Sequence, residues 1–132
     1  MRYLSLTMLL LVVILAGCRE SAQQTATTAD SGVQMRLEVA PDPASVGAAV
    51  LLVRLADAED KPITDAVVAV RGDMNHAGMV PVDGAGEPTD VEGEYTVPFQ
   101  WTMGGDWIVT VTATLADGTI VEQQFPFSVT AQ

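Results

Sequence analysis

Hydrophobic and polar residues alternate along most of this chain from residue 33 onward, which is the period of a β-strand with one buried face. Turn signals rich in Gly, Pro and Asp separate the alternating runs at roughly the spacing of a small sandwich. The pattern predicts strands near residues 34–39, 49–55, 66–70, 94–101, 107–115 and 121–129. No window in this region favours a helix. We therefore expect an all-β fold, an immunoglobulin-like antiparallel β-sandwich of about 6–7 strands.

The first residues of the chain follow a different pattern, in which Arg2 precedes a continuous apolar run that ends in Leu15-Ala16-Gly17-Cys18. The run from Leu4 to Ala16 is about 13 residues long, which suits a secretory signal peptide and is shorter than the ~20 residues of a membrane-spanning helix. Small residues before a cysteine resemble the lipobox of bacterial lipoproteins, in which the cysteine is lipidated and becomes the first mature residue. We predict lipidation of Cys18. An ordinary signal peptide or an uncleaved membrane anchor is the alternative.

The segment that follows Cys18 is polar and of low complexity, and nothing in it can bury apolar surface. We predict that it is a flexible tether between the lipid and the folded domain. Cys18 is the only cysteine of the chain, so no internal disulfide can form. The predicted organisation is a lipoprotein signal peptide at residues 1–17, a lipidated cysteine with its tether at 18–32, and one β-sandwich domain at 33–132.

The charge balance is strongly acidic. The full chain has 6 Lys and Arg residues against 17 Asp and Glu residues, a net charge of −11. Because the signal peptide contains Arg2 and no acidic residue, its removal leaves a net charge of −12. Phosphates would be repelled, so we expect no nucleic acid partner and a membrane contact through the lipid anchor alone. The predicted location is the bacterial cell envelope, outside the cytoplasm, and the periplasm if the host is Gram-negative.

The loop predicted at residues 71–81 contains the only histidine of the chain, His76, with Met74 two residues before it and Met79 three residues after it. Thioether sulfur and imidazole nitrogen together favour copper(I), whereas calcium or magnesium would be expected among carboxylates. Met103 lies in the turn between two predicted core strands. If the strands beside the two loops are neighbours, these four side chains form a candidate copper(I) site.

The same methionines also have a packing interpretation. Methionine fills irregular gaps in cores, so Met74 and Met79 would cap the open end of the sandwich. Met103 would then pack under Trp101 and Trp107, the same two side chains that would shield a metal from water. The sequence alone leaves both interpretations open.

Five short motifs follow one another along the chain: Pro41-Asp42-Pro43, Lys61-Pro62-Ile63-Thr64-Asp65-Ala66-Val67-Val68, Met74-x-His76-x-x-Met79, Gly93-x-Tyr95 and Met103-x-Gly105-x-Trp107. Their order and spacing resemble the YtkA-like/FixH-like domain over about residues 33–130. The resemblance implies a small immunoglobulin-like β-sandwich exposed outside the cytoplasmic membrane, often on a lipid or transmembrane anchor. It also implies a link to copper handling and cytochrome oxidase assembly, with which some relatives are associated.

Two functions remain open on these grounds. The first is a lipid-anchored copper(I)-binding protein that buffers the metal or exchanges it with an envelope partner. The second is a metal-free interaction module that presents acidic side chains to a basic partner: Asp73, Asp83, Glu87, Asp90, Glu92 and Glu94. We do not expect an enzyme, because one histidine and no free cysteine leave few groups for nucleophilic or acid–base catalysis.

Overall fold

The computed structural model describes residues 32–131, which form two antiparallel four-stranded sheets packed as a sandwich. The strands are β1 (Gln34–Ala40), β2 (Gly47–Ala56), β3 (Val67–Met74), β4 (Val82–Ala85), β5 (Glu87–Pro88), β6 (Glu94–Trp101), β7 (Gly105–Thr114) and β8 (Ile120–Val129). One sheet has the order β1-β2-β6-β5 and the other β4-β3-β7-β8. The predicted all-β sandwich is confirmed. The predicted signal peptide, Cys18 and the tether up to residue 31 lie outside the described residues.

Within residues 32–131 there is no helix, and hence no helical segment of a length and apolarity that would span a membrane. The core is built from the alternating apolar positions of both sheets. Along β7, every second residue from Trp107 to Ala113 is buried, while the residues between them face outward. β6 shows the same alternation from Tyr95 to Trp101. The strand period therefore sorts each run into a core face and a solvent face, as the pattern predicted.

An aromatic cluster fills one end of the core. The rings of Trp101 and Trp107 meet edge to face with their centroids 5.3 Å apart, and Phe99 packs against Trp101 at 4.8 Å. Phe127 closes the cluster from β8, at 5.7 Å from Trp101. Such aromatic pairs contribute about 0.5–1.5 kcal/mol each beyond their buried area, so this end of the sandwich is rigidly packed.

The sequence pattern predicted no strand between residues 71 and 93, and the structure differs from this prediction in two places. β3 continues through Arg71 to Met74, because these residues pair with β7. The extension was hidden because Gly72 occupies a core-facing position, where a Cβ atom would lie 2.5 Å from Phe99. The ring of Phe99 takes the space that an apolar side chain would have filled, so the strand lacks its usual alternation at this point.

The second difference is that two short strands, β4 and β5, follow each other in the chain and join different sheets. β4 pairs with β3 in one sheet, and β5 pairs with β6 in the other. Between them, the amide of Gly86 donates a hydrogen bond to the carbonyl of Val68 at 2.8 Å, and a Cβ at Gly86 would lie 2.8 Å from that of Val68. These two strands bring the total in the described residues to eight, above the 6–7 expected.

Candidate metal site at one end of the sandwich

The two methionine-bearing loops lie at the same end of the sandwich. β3 and β7 pair antiparallel with Met74 opposite Trp107, so the end of β3 and the start of β7 are neighbours. The loop 75–81 leaves β3 at this end, and the turn 102–104 enters β7 beside it. The neighbour relation on which the candidate site depends is therefore present. We call residues 74–81 and 102–107 the Met/His end.

Met74 is the last residue of β3 and is a strand residue, where the sequence predicted a loop. Its side chain belongs to the core and is 9% exposed. Its Cε atom lies 3.0 Å from the position that a Cβ at Gly105 would occupy, and Gly105 has a φ of +131°. The thioether thus packs directly on the backbone that follows Met103. Met74 therefore contributes to the packing of the core.

His76 and Met79 are held by a turn in the loop 75–81. The amide of Met79 lies 3.5 Å from the carbonyl oxygen of His76, which closes a four-residue turn and brings the two Cα atoms within about 7 Å. His76 is exposed, whereas Met79 is half-buried and packs against the core. The loop therefore presents one accessible imidazole and one thioether side chain that packs against the core.

Met103 occupies the neighbouring turn and is 50% exposed. Its carbonyl oxygen accepts a hydrogen bond from Nε1 of Trp107 at 3.0 Å. Sequence reasoning placed Met103 in this turn correctly but missed the hydrogen bond and the contact of Met74 with Gly105. The contact of Met74 with Gly105 depends on which residues of β3 and β7 lie opposite each other, and no local signal in the sequence reports that register. The hydrogen bond joins two residues four apart, and it depends on the path of the turn that leads into β7.

The four candidate ligands at the Met/His end, Met74, His76, Met79 and Met103, offer sulfur and nitrogen donors. In residues 32–131, no group of three or more His, Cys, Asp or Glu side chains is arranged to hold a metal. The acidic side chains considered for a basic partner are partly engaged within the chain, since Asp73 and Asp83 lie 3.3 and 3.6 Å from Arg71. Glu94 lies 2.9 Å from Arg54. Thioethers and one imidazole suit copper(I) in preference to calcium or magnesium.

Arg54 joins three strands on the outer face of the first sheet, away from the Met/His end. It hydrogen-bonds Glu94 of β6 and also lies 2.6 Å from Glu38 of β1. The hydrogen bond to Glu94 and the charge of Glu38 raise the pKa of Arg54 above its ordinary value. Because Arg54 and Glu38 are half exposed, the network supports strand register more than it adds stability.

A family model described as YtkA-like matches residues 27–112, a span that includes all four candidate ligands. No curated protein matches the chain in sequence. Among solved structures, the C-terminal domain of ZirS is 12% identical with a TM-score of 0.50, over 98% of this chain and 87% of that one. The soluble domain of PmoD from Methylocystis sp. ATCC 49242 (Rockwell) is 15% identical with a TM-score of 0.48, over 80% of this chain and 98% of that one. At these identities the similarity concerns the fold alone.

Proposed function

This chain belongs to the YtkA-like family, and we propose that it is a copper(I)-binding protein of the bacterial cell envelope, anchored by lipid at Cys18. The metal is held at the Met/His end and is either buffered there or passed to an envelope partner. The observation that supports the proposal is the antiparallel pairing of β3 with β7, in which Met74 lies opposite Trp107, so the strands that lead to the two methionine-bearing loops are neighbours.

The exposure of the donors suits metal exchange. His76 and Met103 are accessible and Met79 is half-buried, so a partner's ligands can approach from solvent and replace one donor at a time. Met74, at 9% exposed, is the least accessible of the four. Thioethers bind copper(I) without losing a proton. The net negative charge of the chain also attracts a cation.

A competition titration tests the proposal. Residues 19–132, which lack Cys18 and its thiol, are titrated with copper(I) under reducing conditions against a chromophoric chelator. We expect one tightly bound copper(I) per chain, and weaker binding in His76→Ala, Met79→Leu and Met103→Leu, because each removes one donor. Leucine is used for methionine because it retains most of the volume and removes the sulfur.

Met35→Leu is the matched control for loss of a thioether. Met35 is buried in β1 opposite Leu55, near one end of β2. Trp101, which directly precedes the turn 102–104 of the Met/His end, lies opposite Gly47 at the other end of β2. We expect this variant to bind copper(I) as the wild type does. Binding that is absent, or that is indifferent to all three substitutions at the Met/His end, would contradict the proposal.

A groove beside the Met/His end supports the second function, a metal-free interaction module. It lies on the outer face of the second sheet and is lined by Asp73, Asn75, Asp106, Ile108 and Pro126 among others. Carboxylates next to exposed apolar side chains suit a basic and partly apolar segment of another envelope protein. This function becomes the better account if the titration shows no copper(I) binding.

A further inference from the structure

We propose that Trp107 is a positioning residue for copper(I) binding, because its indole N–H holds the turn that carries Met103. The inference rests on the function proposed above and assigns a role to a side chain that is not itself a ligand. Nε1 of Trp107 lies 3.0 Å from the carbonyl oxygen of Met103, and the indole is 1% exposed. The hydrogen bond therefore anchors the turn 102–104 to a fixed point in the core.

The indole is itself held on several sides. Trp107 lies on β7 opposite Met74, and its ring packs edge to face with Trp101 at 5.3 Å and with Phe99 at 6.5 Å. The two rings belong to the other sheet, so the position of Trp107 is set by packing between the sheets. A donor fixed in this way holds its acceptor with little freedom.

The neighbouring Gly104 packs closely on Ala131, where a Cβ would lie 2.9 Å from the backbone nitrogen, but Met103 itself has few other restraints. Its side chain is 50% exposed, and no further hydrogen bond to Met103 is formed in residues 32–131. Without the indole N–H, the turn would sample more conformations, and copper(I) would have to order it on binding. Ordering a segment at the moment of binding lowers affinity without removing any ligand. The expected loss of copper(I) affinity is about 3- to 10-fold, which corresponds to the net contribution of one hydrogen bond.

Trp101 provides a matched control. It is 0% exposed and belongs to the same aromatic cluster, but its Nε1 atom has no hydrogen-bond partner among the described residues. Trp101→Phe and Trp107→Phe therefore remove the same atoms from the same core. Of these two substitutions, only Trp107→Phe removes a hydrogen bond to the turn that contains Met103.

The test compares copper(I) affinity and thermal midpoint for residues 19–132 carrying Trp107→Phe, Trp101→Phe, Met103→Leu, or Trp107→Phe together with Met103→Leu. We expect Trp107→Phe to weaken binding about 3- to 10-fold, while Trp101→Phe weakens it less, because it removes no hydrogen bond to the turn 102–104. If Trp107 acts through Met103, Trp107→Phe has no further effect on affinity once Met103 is leucine. Amide ¹⁵N relaxation of copper-free protein should also show a more mobile turn 102–104 in Trp107→Phe.

Each failure has its own signature. A wild-type chain that binds no copper(I) would overturn the proposed function, and this inference with it. Wild-type binding that Trp107→Phe leaves unchanged would overturn the inference alone. Equal losses in Trp101→Phe and Trp107→Phe, or a Trp107→Phe effect that persists with leucine at position 103, would show that Trp107 acts only through general packing.

Discussion

Substitution of Met74 separates the packing role of this residue from the role of its sulfur. Met74→Ala removes most of a side chain that is 9% exposed and that contacts the backbone at Gly105. Large-to-small core substitutions of this kind lower the free energy of unfolding by about 2–5 kcal/mol. We expect about 2–3 kcal/mol, the low part of that range, because the strand ends here and its neighbours can partly close the space. For a domain of this size, the thermal midpoint falls by on the order of 10 °C.

Met74→Leu preserves most of the volume, so its effect on the free energy of unfolding stays below about 1.5 kcal/mol. Urea unfolding followed by tryptophan fluorescence measures both variants, with copper(I) competition in parallel. If Met74 packs and also binds, Met74→Ala loses stability and affinity, while Met74→Leu loses affinity with little change in stability. A Met74→Ala variant as stable as the wild type would refute the packing argument. A Met74→Leu variant with wild-type affinity would remove this sulfur from the ligand set.

Three further predictions concern stability and its dependence on pH. Gly105→Ala should lower the free energy of unfolding by about 1–3 kcal/mol, because an alanine would be held at a φ of +131° and its Cβ would lie 3.0 Å from Cε of Met74. An unchanged urea midpoint would contradict this. Tyr95→Phe removes a buried hydroxyl that forms two backbone hydrogen bonds, so a loss of about 1–3 kcal/mol with an unchanged denaturant slope is expected, and equal stability would show that the hydroxyl contributes nothing. The amide of Thr119 lowers the pKa of Asp117 below 3.8, so the stabilising effect of this carboxylate is complete above about pH 4 and is lost as the pH falls through its lowered pKa. The urea midpoints of the wild type and Asp117→Ala should therefore converge in acid, and a constant difference between pH 7 and pH 2 would contradict the assignment.

Much of the fold could be predicted from the sequence because strand period and turn chemistry are local. The buried positions of β6 and β7 follow the alternation directly, and the hairpin between β7 and β8 turns at Asp117-Gly118, one of the Asp- and Gly-containing turn signals. The extension of β3 could not be predicted in this way, since Gly72 stands at a core position that the ring of Phe99 fills from the other sheet. The contact that shapes the strand is distant in sequence.

The candidate site could also be predicted only in part from the sequence. Residue type and spacing singled out the methionines around His76 and the methionine in the next turn. The burial of Met74 required the register of β3 against β7. The hydrogen bond from Trp107 to Met103 joins residues four apart and required the path of the turn into β7. Residue type and spacing can thus identify candidate ligands, whereas the pairing of distant strands decides which of them are accessible and which are buried.

X-ray absorption at the copper K-edge of residues 19–132 loaded with copper(I) identifies the atoms that bind the metal. We expect a sulfur shell together with one imidazole, a weaker sulfur contribution in Met79→Leu and in Met103→Leu, and loss of the imidazole contribution in His76→Ala. A coordination shell of oxygen and nitrogen only, or a sulfur shell that all three substitutions leave unchanged, would contradict a copper(I) site at the Met/His end.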